Sequence, residues 1–432
     1  MTLVPPLGRR AWRLLAGFAL AQVGVGLTLP FLIIYLHDAR GFALPTSGLV
    51  LATLSVGGVL SVLSGGSIDR FGAGRVAVAG LVVAALGTLG LAAAGEPLLA
   101  AVAAFVQGVG MGSVWNALGA LYAGAVVPER RGDVFGVNYA LLNLGLGAGS
   151  AIGGAVLDPR VLASFQLVFV VNAAFLLVFA GLLVLAGELR RPGQAGVALG
   201  GGYRHVLRDR ALIGAAALNG LLVVVAFAQL NSGFAAWAGE RVPNATSVVG
   251  WAWTANTVTI AVAQLVVLRL VHGRRRTRAT AGAATLFGTA WLLTLGGGLI
   301  GGGLGAGTLI ISLAVFGLGE TLLSPSLAPM VNDLAPEALR GRYNAVFNLS
   351  WQGGLAVGPA LAGIALGQGL GAVYFVALAA TCGLAAVLAY GLERLVPPAA
   401  NRAWQAPTGY DGGREIAADE MAAGASIAGP TA

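Results

Sequence analysis

The sequence predicts an all-α membrane protein with twelve transmembrane helices in two six-helix halves. The chain of 432 residues is 57% hydrophobic and only 10% charged, whereas a soluble domain carries about a quarter charged residues. Apolar stretches of about 20 residues, each long enough to cross the hydrocarbon of a bilayer, recur along its whole length. Basic residues concentrate in alternate connections between these stretches, as expected for a chain that crosses a membrane repeatedly.

Hydropathy windows place the individual helices. The twelve predicted segments lie near residues 14–36, 46–67, 75–95, 98–125, 135–157, 163–187, 211–237, 247–270, 280–300, 304–331, 344–367 and 371–394. The ninth and tenth are the least distinct, because a glycine-rich stretch without charge, Gly296 to Gly307, must form the turn between them. A count of eleven or thirteen therefore stays open.

Arginine placement predicts the orientation, because cytoplasmic loops attract basic residues. All 25 basic residues are arginine, and with the N-terminus inside, the outside loops hold only Arg40, Arg160 and Arg241, which leaves 22 inside. An odd number of helices through the middle of the chain would disturb this alternation. We therefore expect a multi-pass protein of the inner (plasma) membrane with both termini cytoplasmic.

Composition divides the chain into four parts. The stretch 188–210 contains Pro192, several glycines and five arginines, and is interpreted as a cytoplasmic linker between an N-terminal half, residues 1–187, and a C-terminal half, residues 211–395. Residues 396–432 contain acidic residues and no apolar span, which predicts a disordered cytoplasmic tail.

A weak internal repeat supports two related halves. A shift of 209 residues places Gly145, Gly149 and Gly154 on Gly354, Gly358 and Gly363. A constant offset of this kind indicates duplicated units, as in transporters whose halves are related by an axis along the membrane normal.

The connection after the second helix carries a recognisable loop motif. From Gly65 to Arg75 it reads Gly-Gly-Ser-Ile-Asp-Arg-Phe-Gly-Ala-Gly-Arg. This resembles the loop signature of the major facilitator superfamily, and the resemblance extends from Arg13 to Arg394. It implies a secondary transporter. An aspartate can accept hydrogen bonds at a helix end and pair with an arginine, while arginines can meet helix carbonyl ends. The expected cytoplasmic latch consists of Gly65, Asp69, Arg70, Gly72 and Arg75.

The fifth predicted helix is rich in glycine. Its stretch from Gly145 to Gly154 is similar to the glycine-rich motif of drug/proton antiporters in that superfamily, although Ser150 stands where the motif has proline. Glycines spaced by four residues create a flat helix face, for which ordinary tight packing is the alternative reading. The expected helix-packing motif comprises Gly145, Gly149, Ser150, Gly153 and Gly154 with Gly354, Gly358 and Pro359 in the eleventh helix.

Glu320, near the middle of the tenth helix, is the expected proton-coupling residue. A charge at the bilayer centre costs about 2.5–3.5 kcal/mol, so an acid there is protonated, paired or facing a water-filled cavity. The surrounding Gly319-Glu320 and Ser324-Pro325 pairs also resemble a multidrug-efflux branch of the superfamily. A neutral structural acid is the alternative. The family often has an arginine at the position of Ala104, so any proton pathway must be built elsewhere.

Amides inside the apolar segments are candidates to line a substrate cavity. They can bind substrate hydroxyls or bridge helices, and bridging is the alternative for each one. The predicted cavity set is Gln22, Asn116, Asn138, Gln229, Asn231, Asn256, Gln264, Asn348 and Gln352, and Asn143 and Asn219 belong to the same wider group of amides. The ring of Tyr139 and the indoles of Trp115, Trp253 and Trp351 are further candidates, for stacking on a flat substrate.

These features favour one function over three others. The sequence predicts proton-coupled efflux of small apolar or amphipathic compounds by alternating access, in a monomer whose partners are the substrate, protons and the lipid bilayer, without nucleic acid, cofactor or metal. A nutrient importer for a sugar or organic acid is the nearest alternative. An anionic substrate would call for an arginine inside the membrane, and none lies deep in any predicted segment. A sensor or assembly factor, and a membrane-embedded enzyme, are the others. No phosphate-binding loop or paired catalytic acids support an enzyme.

Overall fold

A computed structural model describes residues 7–61, 64–127, 130–190, 206–336 and 339–402. Helices dominate this part of the chain, and the twelve long ones are labelled here in order. They are α1 Gly8–Ala39, α2 Leu44–Leu60, α3 Ala73–Ala93, α4 Pro97–Ala123, α5 Arg131–Val156, α6 Leu162–Leu185, α7 Arg210–Arg241, α8 Ala245–Val271, α9 Arg276–Ile300, α10 Gly302–Leu334, α11 Arg340–Gly367 and α12 Gly371–Leu392.

Membrane-crossing length and apolarity characterise most of these helices. Ten of those described are long and apolar enough to span a bilayer. The remaining two are α2, an apolar helix of 17 residues, and α8, which has 27 residues and packs in the same bundle. The chain is therefore an all-helical, multi-pass membrane protein.

Glycines with positive φ mark two of the helix ends. The boundary between the ninth and tenth helices, which is indistinct in the sequence, falls at Gly301 and Gly302. Their φ values are +65° and +58°, a conformation that glycine adopts without strain. Gly72, at φ +89°, separates α3 from the short helix Ser64–Phe71. The second predicted segment, 46–67, therefore ends earlier than expected, at Leu60, and its last residues belong to that separate short helix.

The two halves repeat one packing scheme. In the first half α1 packs on α5 and α6, and α3 packs on α4 and α6; in the second half α7 packs on α11 and α12, and α9 packs on α10 and α12. Each half thus has its first helix beside its fifth and sixth, and its third beside its fourth and sixth. This correspondence agrees with the repeat detected in the sequence.

The halves meet along two helix pairs, α2 with α11 and α5 with α8, which we call the two seams. We call the face that carries the start of α1 and the end of α12 the termini face. The closest backbone approaches lie toward the other face: Gly48 of α2 lies on Pro359 of α11, and Gly154 of α5 lies on Gly250 of α8. At this opposite face the halves are closed together.

Hydroxyl groups reinforce the α5–α8 seam. Thr246 and Ser247 donate to the carbonyls of Leu157 and Gly154 at 3.0 and 2.8 Å, and Thr254 Oγ1 lies 3.3 Å from the carbonyl of Gly147. Small side chains and backbone carbonyls therefore join the halves here, without any charged group among these contacts.

Ion pairs tie chain segments together at the termini face. Glu188, 1% exposed, accepts from the guanidinium of Arg10 at 2.6 and 2.9 Å. In the second half Arg276 pairs with Asp333 at 2.6 Å and donates to the carbonyl of Ala400. Each half therefore has its own ion pair at the termini face.

The predicted linker and tail fall partly outside the described residues. Residues 191–205 of the linker and 403–432 of the tail are not described. The expectation of disorder from residue 396 is wrong for its first residues, because Pro398–Asn401 forms a short helix. Asn401 is buried there, and its side-chain oxygen accepts from the backbone N–H of Thr277 at 3.0 Å.

Candidate substrate and proton site

A central cavity of about 530 Å³ lies between the two halves. Helices α1 and α5 of the first half and α7, α8, α10 and α11 of the second contribute its walls. Its polar side chains are Tyr139, Asn143, Asn219, Asn231, Asn256, Thr257, Glu320 and Ser324, and its other aromatic side chains are Phe227, Trp253, Phe347 and Trp351. The remaining lining is aliphatic, so the cavity suits a largely apolar ligand.

Two smaller spaces adjoin this cavity. One, of about 240 Å³, lies between α1, α2, α4 and α11 and shares the side chains of Leu29 and Leu355 with it. The other is a groove along α11 that shares Phe347 and Trp351 and reaches Asn344, toward the termini face. The central cavity therefore extends toward the termini face, while the seams close it at the opposite face.

Glu320 is the single acidic side chain among the described residues that line these spaces. Asn256 of α8 donates from Nδ2 to its Oε1 at 2.8 Å, and the same amide lies 3.3 Å from the carbonyl of Leu313. No arginine, lysine or histidine is present among the same lining residues. The carboxyl group therefore has an amide partner and no counter-ion, which is a suitable arrangement for an acid that gains and loses a proton.

Glycines bring α10 close to its neighbours on either side of this acid. A Cβ atom on Gly317 would lie 2.8 Å from the carbonyl of Asn256, and one on Gly319 would lie 2.6 Å from the ring of Phe287. These positions leave no room for a larger residue unless a neighbour moves. The Gly-Leu-Gly-Glu sequence thus packs α10 against α8 and α9 while presenting Glu320 to the cavity.

Four of the nine predicted cavity amides line the central spaces. Asn231 and Asn256 belong to the central cavity, Gln352 to the smaller space beside α4, and Asn348 to the groove along α11. They lie on α7, α8 and α11, so all four come from the second half.

The other five amides lie elsewhere. Gln22 is buried between α1 and α5, against Gly145. Asn138 accepts from the hydroxyl of Tyr122 at 2.6 Å, and Asn116 donates to the carbonyl of Ser61 at 2.9 Å. These contacts correspond to the helix-bridging alternative.

Gln229 and Gln264 are also absent from the lining of the central spaces. Gln229 is fully buried, donates to the carbonyls of Val224 and Gly358 at 2.6 and 3.3 Å, and accepts from Tyr374 at 2.8 Å. The side-chain oxygen of Gln264 is buried without a hydrogen-bond partner among the described atoms. Neither residue lines the site.

Several lining residues were not in the predicted cavity set. Asn143, Asn219 and Tyr139 are among the wider candidates of the sequence, whereas Thr257 is not a candidate and Ser324 appears there only as part of the pair with Pro325. Hydroxyl residues are common in membrane helices, where they bond to the preceding turn, so composition gives little sign of which of them face a cavity.

Sequence comparison identifies the family. The family model described as Major Facilitator Superfamily matches residues 14–242 and 242–429. The chain belongs to the major facilitator superfamily. Its relatives are transporters, and the chain is a transporter rather than an enzyme.

Two curated relatives and one solved structure illustrate the similarity. The multidrug resistance protein MdtH of Aeromonas hydrophila subsp. hydrophila is 28% identical over 368 residues, covering 82% of this chain and 85% of that protein. A Na(+), Li(+), K(+)/H(+) antiporter of Planococcus maritimus is 24% identical over 374 residues, covering 76% and 83%. The crystal structure of a POT family transporter in complex with 5-aminolevulinic acid superposes with a TM-score of 0.74 at 16% identity, covering 91% and 99%. At that identity the structural match establishes the shared major facilitator fold.

The loop motif of the superfamily forms the turn between the short helix and α3. Gly72 supplies its positive φ, the guanidinium of Arg70 lies 5.1 Å from the ring centroid of Phe71, and Arg70 and Arg75 are exposed. Gly65 and Asp69 fall in the helix, but their burial and the side chain of Asp69 lie outside the description. Among the described residues, no hydrogen bond or ion pair joins Arg70 or Arg75 to the second half.

The glycine motif of α5 presents two separate packing faces. Gly145, Gly149 and Gly153 lie against Gln22, Val23 and Phe31 of α1, within the same half. Ser150 and Gly154 lie against Gly250 of α8, in the other half. One helix thus serves both the interior of its half and a seam.

The repeat partner in α11 has the same two faces. Gly354 and Gly358 lie against Val223 and Ala228 of α7, within the second half, while the carbonyl of Pro359 lies against Gly48 of α2. The 209-residue shift therefore matches residues that make corresponding contacts, although Ser150 and Pro359 differ chemically.

Proposed function

We propose that this transporter exports small apolar or amphipathic compounds in exchange for protons. The observation that carries the proposal is Glu320, one acid in a cavity whose other lining side chains are neutral and mostly apolar. Two relatives, named as a multidrug resistance protein and a cation/proton antiporter, support the same direction and chemistry.

We further propose that the chain crosses the inner (plasma) membrane twelve times. Its termini face would then point toward the cytoplasm. The uneven distribution of arginines supports this orientation. In this orientation the described conformation is closed to the outside by the two seams, and its cavity extends toward the cytoplasm. A substrate would enter from the cytoplasm or the inner leaflet.

The proposed exchange uses Glu320 in two protonation states. With the seams open to the outside, a proton binds the carboxylate, and the neutral acid no longer attracts the substrate, which leaves. After the halves rock to the state described here, the proton passes to the cytoplasm and the restored carboxylate, held by Asn256, receives the next substrate. Competition between proton and substrate for one group couples the two fluxes.

The remaining predicted roles are part of this proposal. The latch residues Gly65, Asp69, Arg70, Gly72 and Arg75 hold the cytoplasmic ends together in the outward-open state. The seam faces of the two helix-packing motifs act as the surfaces along which the halves separate. The stretch 188–210 serves as the linker between the halves, and the transporter works as a monomer.

Dye transport in liposomes tests the function. Purified transporter is reconstituted in vesicles with an acidic lumen and ethidium outside, and a luminal pH dye reports proton flux. Proton exit should drive ethidium into the lumen for the natural chain. Glu320→Gln should reduce this uptake at least tenfold, since the amide cannot exchange a proton. The matched control is Glu96→Gln, because Glu96 is exposed at the start of α4 and lies far from the cavity lining.

Three results would contradict the proposal. Uptake by Glu320→Gln equal to that of the natural chain would remove Glu320 from the coupling. Ethidium movement without any change in luminal pH would remove the proton. Gradient-driven movement of sugars or organic acids, with ethidium immobile, would indicate the importer instead.

A further inference from the structure

A second, strongly basic cavity lies at the termini face, away from the central site. It has a volume of about 630 Å³ and lies between the end of α8, the start of α9 and α10. Four arginines contribute to its lining: Arg274, Arg275, Arg278 and Arg402. Arginines at a membrane face also serve to orient the chain. The arrangement of these four therefore decides whether they can bind a ligand as well.

The backbone forces two of these arginines together. Arg275 and Arg402 form an antiparallel bridge, which places like charges directly opposite each other, an unfavourable arrangement. The segment that ends at Arg402 is fixed by buried bonds, since Arg276 donates to Ala400 at 2.9 Å and Asn401 accepts from the N–H of Thr277 at 3.0 Å. The fold therefore holds the positive charges close, and a bound anion would relieve their repulsion.

The acids of the described chain neutralise only part of this cluster. Glu393 contacts Arg275 and lies 3.5 Å from Arg278. Asp333 forms its ion pair with Arg276. Within the described residues, Arg274 and Arg402 have no carboxylate partner. Two exposed guanidinium groups thus remain available, and guanidinium binds phosphate oxygens in bidentate fashion.

The cavity also has an apolar side that continues into the bilayer. Leu270 lines it and ends a stripe on α8 formed by Val262, Val266 and Leu270, which are 73%, 57% and 54% exposed. Residues four apart lie on one helix face, so the stripe forms a continuous apolar track that ends at the arginines. A ligand with a phosphate head and a long hydrocarbon chain matches both parts.

We propose that this cavity binds the headgroup of an anionic phospholipid, with one acyl chain along the α8 stripe. Free phosphate would use the arginines but not the stripe. The acids of the undescribed tail, Asp411, Glu415, Asp419 and Glu420, would likewise leave the stripe uncovered. Basic pockets between helices at a membrane face are known to hold anionic headgroups. The proposal needs only the membrane location of the chain and is independent of what it transports.

Lipid titration of the full chain in detergent tests this site, with native mass spectrometry and melting temperature as readouts. Dioleoylphosphatidylglycerol should bind and raise the melting temperature, while dioleoylphosphatidylcholine and inorganic phosphate should not. The double variant Arg274→Gln/Arg402→Gln should bind phosphatidylglycerol about thirtyfold more weakly. The matched control, Arg131→Gln/Arg340→Gln, removes two exposed arginines from the same face and should bind as the natural chain does.

Several outcomes would overturn the site. Equal phosphatidylglycerol binding by the two double variants would show that the lipid recognises the general positive charge of the face. Protection by inorganic phosphate equal to that by phosphatidylglycerol would assign the cavity to a free anion. Binding that requires prior neutralisation of the four tail acids would assign it to the tail. A failure of ethidium transport would leave these lipid readouts unaffected, so the two proposals fail separately.

Discussion

At the scale of single residues, the pair of Glu320 and Asn256 determines the chemistry of the cavity. A carboxylate surrounded by apolar and amide side chains is stabilised mainly by hydrogen bonds, and one to a charged group contributes about 1.5–3 kcal/mol. Asn256 supplies such a bond at 2.8 Å. In the proposed exchange, the amide therefore holds the charged form of the acid in one position.

Replacing Asn256 with leucine tests this role. Asn256→Leu removes the donor while keeping a similar volume, so Glu320 loses its partner in the charged state. We expect proton-driven ethidium uptake to fall about tenfold, because 1.4 kcal/mol corresponds to a factor of ten, together with a lower number of protons moved per dye molecule. The measurement is the ratio of luminal pH change to dye uptake in proteoliposomes.

The matched control is Asn219→Leu. Asn219 lines the same cavity but donates to Ser350 Oγ at 3.0 Å rather than to the acid. Its loss is expected to alter dye affinity and to leave the proton-to-dye ratio unchanged. An identical ratio in both variants and in the natural chain would exclude Asn256 from coupling.

The sequence singles out an acid that the structure places at the cavity, whereas its coupling role stays a prediction, and it locates the lining amides only in part. A lone glutamate in an apolar stretch is conspicuous because of its insertion cost, and Glu320 does line the cavity. Amides carry no such cost. Gln229 and Asn231 are two positions apart and so project in different directions from α7; Gln229 bonds to Tyr374 inside the second half, while Asn231 lines the cavity. Only the packing of the neighbouring helices distinguishes them.

At the scale of helices, α5 and α11 each have an interior face and a seam face. The seam faces pack backbone on backbone: a Cβ atom on Gly154 would lie 2.9 Å from the Cα of Gly250 and from the carbonyl of Thr246. Such contact depends on residues without side chains and brings the helices close enough for hydroxyl-to-carbonyl bonds across the seam.

Widening this seam should impair the transporter. Gly154→Val inserts an isopropyl group between α5 and α8, and overpacking of this kind costs about 1–3 kcal/mol. We expect a lower melting temperature in detergent and a loss of most ethidium uptake, since the outer closure cannot form. The control, Gly136→Val, changes the same helix at a position with no atom near the added Cβ, and both quantities should stay near those of the natural chain. Equal effects of the two substitutions would mean that the seam tolerates separation.

The helices themselves could be predicted well because an apolar run of fixed length is a strong signal. Local departures from regular α-helix could be predicted only where a residue such as proline marks them. The π turn at Val223–Phe227 in α7 has no proline or glycine within it to announce it. The 3₁₀ turn Leu29–Phe31 in α1, by contrast, contains Pro30, which cannot continue regular helical hydrogen bonding. Departures without such a residue arise from tertiary packing, which a single sequence does not record.

At the scale of the whole molecule, orientation in the membrane is the feature most open to direct measurement. In a Cys382→Ser background, the chain has no cysteine, since Cys382 is its only one. We expect a cysteine introduced as Glu96→Cys to react with a membrane-impermeant maleimide in intact cells, because the α3–α4 connection faces outside in the proposed orientation. Arg340→Cys, at the start of α11, is the partner position and should react only after permeabilisation.

The reverse labelling pattern would invert the proposed orientation, and labelling of both positions in intact cells would contradict the proposed number of crossings. Either result would also move the described opening of the cavity from the cytoplasm to the outside.

The division into two similar halves can be expected from the 209-residue repeat. Which end of the cavity is closed cannot. The sequence must support every state of the transport cycle, so it cannot single out one of them. The seams through Gly48 and Gly154 are closed in the structure, and the motif from Gly65 to Arg75, expected to close the other end, makes no described bond across the halves. The latch at the termini face therefore stays a prediction, whereas the closure at the opposite face is visible in the structure.

One hydroxyl group of the α5–α8 seam bears on how readily the two halves separate. Thr254 Oγ1 lies 3.3 Å from the carbonyl of Gly147 across the seam and 2.9 Å from that of Gly250 in its own helix. When α5 withdraws from α8, this hydroxyl keeps its acceptor one turn back in α8. Separation at this point therefore leaves the donor hydrogen-bonded, so the contact can form and break without stranding a polar group in the hydrocarbon.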